Sequence, residues 1–135
     1  MTSLTLCPLA IRADHAQLME RQEKFLYATV ALVRSIVPET TQFWCYGINA
    51  LRPLKPSKDW DFIAFVADSV SDERIDLLND LNGPLADLRA IGEHTFDVAV
   101  MRVGSTTACA RLVRSEGFCV WRKPLSHDGS ILRNI

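Results

Sequence analysis

Asp59-Trp60-Asp61-Phe62-Ile63-Ala64-Phe65-Val66 is the stretch that decides the fold. Beyond its acidic start the run is apolar at every position, so a strand formed here needs cover on both faces. A strand covered on both faces lies inside a sheet. Phe96–Val103 (FDVAVMRV) reads as a further apolar strand. Thr41–Ile48 (TQFWCYGI) reads as a β-rich strand running into a tight turn at Gly47, and Phe118–Trp121 as a short final strand.

Helical patterns separate these strands. Asp14-His15-Ala16-Gln17 has the form of a helix start, an acidic cap with Gln three residues on. Apolar positions then recur at helical spacing to Val37, where Pro38 ends the element. Ser71-Asp72-Glu73 opens a second helix, to about Asp80, with a hydroxyl cap and two acids in the first turn. Asn82-Gly83-Pro84 breaks it; Leu85–Ile91 is expected as a short helix, and Thr106–Ser115 as another, stopped by Gly117. Arg52–Lys58 (RPLKPSK), with two prolines and three cations, is a loop. The expected fold class is therefore α/β (α+β), a mixed β-sheet flanked by helices. The expected organisation is an N-terminal arm (1–13), one domain (14–122) and a mobile C-terminal tail (123–135).

The composition fits one folded domain. The chain has 135 residues, is 48% hydrophobic and 23% charged, and carries a formal charge of −1. That balance argues against a large electrostatic footprint for duplex nucleic acid or an anionic membrane, and leaves a local basic groove open. No apolar run approaches the roughly 18 residues of a membrane span. The first residues lack a basic segment followed by an apolar one, so no secretory signal is expected. Cys7, Cys45, Cys109 and Cys119 show no metal-ligand pairing and read as buried thiols, which places the chain in the cytoplasm.

Asp59 and Asp61 carry the chemistry. Residues i and i+2 of a strand share a face, about 6.5–7 Å apart along the chain. Asp97 opens the next apolar strand in the same way. If the two strands pair, neighbours lie about 4.8 Å apart and three carboxylates meet at one sheet edge. Such acids repel, and divalent metal resolves the repulsion; two Mg²⁺ ions about 3.5–4 Å apart are a known device for displacement at phosphorus. The bland alternative is that Asp59 and Asp61 are solvated strand-start residues and Asp97 pairs with a nearby arginine. Gly47, twelve residues before Asp59, adds a turn whose backbone amides can face phosphate oxygens.

Gly47-x-Asn49-Ala50-x-Arg52, then Ser57-Lys58-Asp59-Trp60-Asp61-Phe62, then Phe96-Asp97-Val98-Ala99-Val100, resembles the minimal nucleotidyltransferases of the DNA polymerase beta superfamily. Arg114-Ser115-Glu116-Gly117-Phe118 with Trp121 resembles the ending of small members, and the likeness covers roughly residues 15–122. The resemblance implies the nucleotidyltransferase fold. It also implies two Mg²⁺ ions on Asp59, Asp61 and Asp97, with one ion carrying the triphosphate of an NTP, ATP first. Asp97 would favour deprotonation of an acceptor hydroxyl, which attacks the α-phosphorus as pyrophosphate leaves. Gly47, Ile48, Asn49, Arg52 and Lys58 fall on the nucleotide-binding side.

Two positions depart from the pattern. Ile48 stands where the family has a serine whose hydroxyl contacts phosphate, and Arg52 where it has a second glycine. Loss of one such donor costs about 2.7–4 kcal/mol of transition-state stabilisation. Asn49, Arg52, Lys55 or Lys58 are the residues placed to compensate. The resemblance also implies a role as antitoxin beside a HEPN-type helical partner; the sequence leaves a homo-oligomer open. The competing readings are a catalytically degenerate binding or regulatory protein on the same fold, and a two-metal nuclease. Among weaker signals, His94 reads as a surface or cap residue, Trp44, Tyr46 and Trp60 as core, and Gly104-Ser105-Thr106-Thr107 as a turn and cap. Arg111 and Arg114 read as a solvated pair on one helix face.

Overall fold

The computed structural model describes residues 12–124. The elements run α1 (Ala13–Arg21), α2 (Glu23–Ile36), β1 (Thr40–Tyr46), α3 (Ile48–Leu51), β2 (Asp59–Val66), α4 (Asp72–Asn79), β3 (Ala90–Ile91), β4 (His94–Arg102), α5 (Ala108–Glu116) and β5 (Phe118–Arg122). They form a mixed α+β fold around one five-stranded sheet of order β3-β4-β2-β1-β5. β1 is antiparallel to β2 and β5, β3 is antiparallel to β4, and β2 runs parallel to β4. The doubly apolar strand β2 is the centre of the sheet, as its sequence requires.

Alternation along β2 sorts its side chains into two cores. Trp60, Phe62, Ala64 and Val66 join Phe43, Phe96 and Val100 beneath Leu18, Phe25, Leu26, Val30 and Val33 of α1 and α2. Ile63 and Phe65 point the other way, onto Ala110 and Val113 of α5. The sheet is thus sandwiched between helices, with the larger aromatic cluster on the α1–α2 side.

Several elements differ from the sequence expectation for local reasons. The long helix expected from Asp14 to Val37 is two helices, divided at Gln22 (φ −110°, ψ 24°). The N-cap is Arg12 rather than Asp14, whose carboxylate instead pairs with the Arg12 guanidinium. Leu85–Ile91 is not a helix. Turns follow Pro84, and Ala90–Ile91 pairs back on β4 through the two-residue Gly92-Glu93 loop. Gly92 has φ 60°, at the first central position, where tight hairpin turns favour glycine. Thr107 caps α5 by accepting from the Ala110 amide, as its sequence suggested. Arg114 is not simply solvated: its guanidinium donates to the Ser105 and Val103 carbonyls and lies 4.7 Å over the Phe65 ring.

Cys45 and Cys119 are buried, whereas Cys109 is exposed on α5, against the expectation of a buried thiol. The Lys123 amide donates to Thr41 O, so pairing with β1 continues one residue into the segment expected as a tail. Cys7, nearly all of the expected arm and most of the tail lie outside the described residues. Among those described, no helix is long and apolar enough to cross a membrane.

β3 covers only the first residues of β4, so most of the outer edge of β4 needs another partner. Asn79 supplies one. Its amide donates to Val100 O at 3.0 Å and accepts from Val100 N at 2.8 Å, as a neighbouring strand would. Asn79→Ala is expected to cost about 1–3 kcal/mol in a urea titration, because both Val100 backbone groups lose their partner. Unchanged stability would show that water replaces the amide.

Candidate active site

The parallel pairing of β2 and β4 sets Asp61 opposite Asp97 and Asp59 opposite Thr95. Because i and i+2 share a face, the three acids emerge on the side that α5 covers further along. The face passes from buried Ile63 and Phe65 to half-buried Asp61 and exposed Asp59. On the other flank Tyr46, the last residue of β1, is opposite Asp61, and Gly47 leaves the sheet beside it.

Gly47 is required on two counts. Its backbone (φ 77°, ψ −152°) lies in a region that is essentially glycine's alone. A Cβ there would also stand 2.6 Å from Asp61 Oδ2. The turn therefore brings bare backbone against a carboxylate. α3 follows at once, and α1 fixes it: buried His15 donates from Nε2 to Ala50 O at 2.7 Å while stacking on Phe118.

The acids are not equivalent. Asp61 has no donor to its carboxylate among the described residues, and its proton affinity is raised by burial first, then by the charges of Asp97 and Asp59. Asp59 accepts from the Thr95 hydroxyl, and Asp97 pairs with Arg89 Nη1 at 2.9 Å. The Tyr46 hydroxyl also holds its proton more tightly than usual, through burial and then the nearby Asp61. With Asp59 and Asp97 turned toward Thr95 and Arg89, no group of three or more His, Cys, Asp or Glu among the described residues forms a ready metal cage. The backbone brings the acids together, and the outer two are each engaged by a neighbouring side chain. An exposed ion pair such as Arg89–Asp97 is worth only about 0–1 kcal/mol, so reorienting Asp97 is inexpensive.

The five residues expected on the nucleotide side separate into two kinds. Gly47 lines the acids, while Ile48, 42% exposed, and Arg52 face solvent. Asn49 is buried and used internally: it donates to Ser57 O (3.0 Å) and Asp59 O (3.2 Å) and accepts from Ser57 N (2.6 Å). Its side chain ties the prolyl loop to the start of β2 and so sets the height of Asp59. Lys58 pairs with Glu93 at 2.9 Å, on the β3–β4 turn. His94 is a packing residue, accepting from Trp60 Nε1 at 3.0 Å and lying tilted against the Phe25 ring.

Sequence reasoning missed Thr95; the alternative that Asp97 pairs with a nearby arginine holds, with Arg89 as the arginine the sequence did not name. Thr95 was within reach, since it precedes Asp97 by two residues and must share its face. Arg89 was hidden by the reading of Leu85–Ile91 as a helix, which would have carried it elsewhere. Comparisons with protein-family models, with curated proteins and with solved structures find no match to this chain.

Asp61 binds its proton more tightly folded than unfolded, so its ionised form subtracts from stability. The subtraction is full at neutral pH and fades as the pH falls through the raised folded value toward the ordinary carboxylate range. Asp61→Asn should therefore raise the melting temperature by a few degrees at pH 7 without divalent ions, and by much less near pH 3. A variant less stable than wild type at pH 7 would contradict this.

Proposed function

We propose that this chain is a minimal nucleotidyltransferase-like protein, acting in the cytoplasm, that moves a nucleoside monophosphate from an NTP, ATP first, to a hydroxyl acceptor. The observation that carries the reading is the register of β2 and β4: Asp61 opposite Asp97, Asp59 on the same face, and Gly47 against Asp61. The order of parts also supports it, since a strand ends in glycine, a short helix and loop follow, two acids open the next strand, and a third sits on a later one.

The donor set suits magnesium. It is all oxygen, it clusters negative charge, and its half-buried member carries a raised proton affinity with no donor to it among the described residues. Asp59, Asp61 and Asp97 are the residues that would hold two ions. When bound, the metal would offset charge on the acids and phosphates and orient the exchanging groups.

The chain's own residues do the rest. Gly47 lets bare backbone approach the phosphates, and Asn49 and His15 hold that bend and the start of β2 in place. Arg52 and Lys55 remain exposed beside the bend, placed to meet phosphate charge. The acceptor oxygen bonds to the α-phosphorus, the bond to the departing pyrophosphate breaks, and the hydroxyl proton leaves by way of Asp97. A HEPN-type helical protein, with this chain as its antitoxin, is the acceptor we propose to try first. The second reading, a binding protein that has lost catalysis, is favoured by Ile48 at the serine position and by Arg89 on Asp97.

Incubation with labelled NTPs, Mg²⁺ and candidate acceptors tests the proposal. Transfer with pyrophosphate release is expected from wild type, with Asp59→Asn and Asp61→Asn lowering it by about 100-fold or more. No transfer by wild type, or equal transfer by the variants, would leave the binding-protein reading in its place.

A further inference from the structure

The segment Arg89–Thr95 touches the charged residues of the site three times. Arg89 takes Asp97, Glu93 takes Lys58 and Thr95 takes Asp59. Arg89 is itself held on two further sides. Its Nε donates to Ala86 O at 2.8 Å, and its carbonyl accepts from Phe96 N at 2.9 Å. The turn after Pro84 and the edge of β4 thus hold the guanidinium beside Asp97, whose backbone is opposite Asp61.

Three carboxylates at one edge need positive charge nearby, and among the described residues Arg89 is the one cation paired with any of them. We propose that Arg89 is a resident counter-cation that competes with divalent metal for Asp97, so that the segment leading into β3 holds the site in a closed resting form. Metal entry requires Asp97 to leave Arg89 and turn toward Asp61. The freed guanidinium, still anchored at Ala86, then stands beside the site as a phosphate-binding donor. This deepens the reading above and rests on it: if the acids bind no cation, Arg89 has nothing to compete with.

Mn²⁺ binding, followed by the electron paramagnetic resonance signal of the free ion, tests the competition without reference to activity. Arg89→Gln removes one positive charge close to the acids and should tighten Mn²⁺ binding by about 3- to 10-fold at low salt. Arg89→Lys should stay close to wild type. Asp61→Asn should weaken binding in both the wild-type and Arg89→Gln backgrounds. Arg89 is exposed, so circular dichroism is expected to show both Arg89 variants folded.

Binding that depends on Asp61 but is unchanged or weaker in Arg89→Gln would overturn the competition and leave the metal site standing. Binding that ignores Asp61→Asn, or no binding by any variant, would overturn both. Binding by Arg89→Gln alone would support the closed form in its strongest version.

Discussion

Three negative side chains sit where the central strand of the sheet comes out to water, and the rest of the site is arranged around that crowding. Asp61 is the pivot. It lies one alternation step from buried Ile63, faces Asp97 across a parallel pair, and touches a glycine that has no room for a side chain. The fold fixes these positions through β2, whose apolar residues are shared between two cores. Moving Asp61 out of the cluster would require a register slip, and a slip of one residue would turn Ile63 and Phe65 onto the wrong face. The repulsion is therefore built in by hydrophobic burial on the same strand.

Around the acids the chain has two kinds of support. Rigid support comes from buried polar side chains that close on backbone: His15 on Ala50, and Asn49 on Ser57 and Asp59. These hold the bend after β1 and the entry to β2, which is where pre-organisation matters for any chemistry at phosphorus. Adjustable support comes from exposed pairs, Arg89–Asp97 and Lys58–Glu93, which bring little stability and are easily exchanged for other partners. On the proposed function, holding the backbone still while the outer carboxylates change partner would use both.

Much of this was legible from the residues, because it depends on alternation. The doubly apolar run after Asp61 announced an interior strand, and the two-residue spacing of Asp59 and Asp61 put them on one face. The sequence leaves the pairing of β2 with β4 as a condition, and the structure meets it. What could not be read was set by partners distant in sequence. Asn49 looked like a ligand-facing polar residue, yet it is buried because the prolyl loop folds over it. Leu85–Ile91 carries enough apolar residues to pass for a helix, but Pro84 and Gly92 leave too short a span, and pairing with β4 takes its end. That misreading concealed Arg89, the cation paired with Asp97. The antitoxin role and the choice of nucleotide come from the sequence resemblance alone, whereas the meeting of the acids comes from the register of β2 and β4.

Carbon-13 NMR of the aspartate side-chain carboxyls, followed against pH in metal-free protein and again with Mg²⁺, addresses the crowding itself. Without metal, the Asp61 carboxyl should titrate above the usual aspartate range, because burial and two neighbouring charges oppose its ionisation. Magnesium should lower that midpoint and shift the Asp59 and Asp97 signals with it. An Asp61 midpoint at or below the ordinary value, indifferent to magnesium, would mean that the three carboxylates do not share a field.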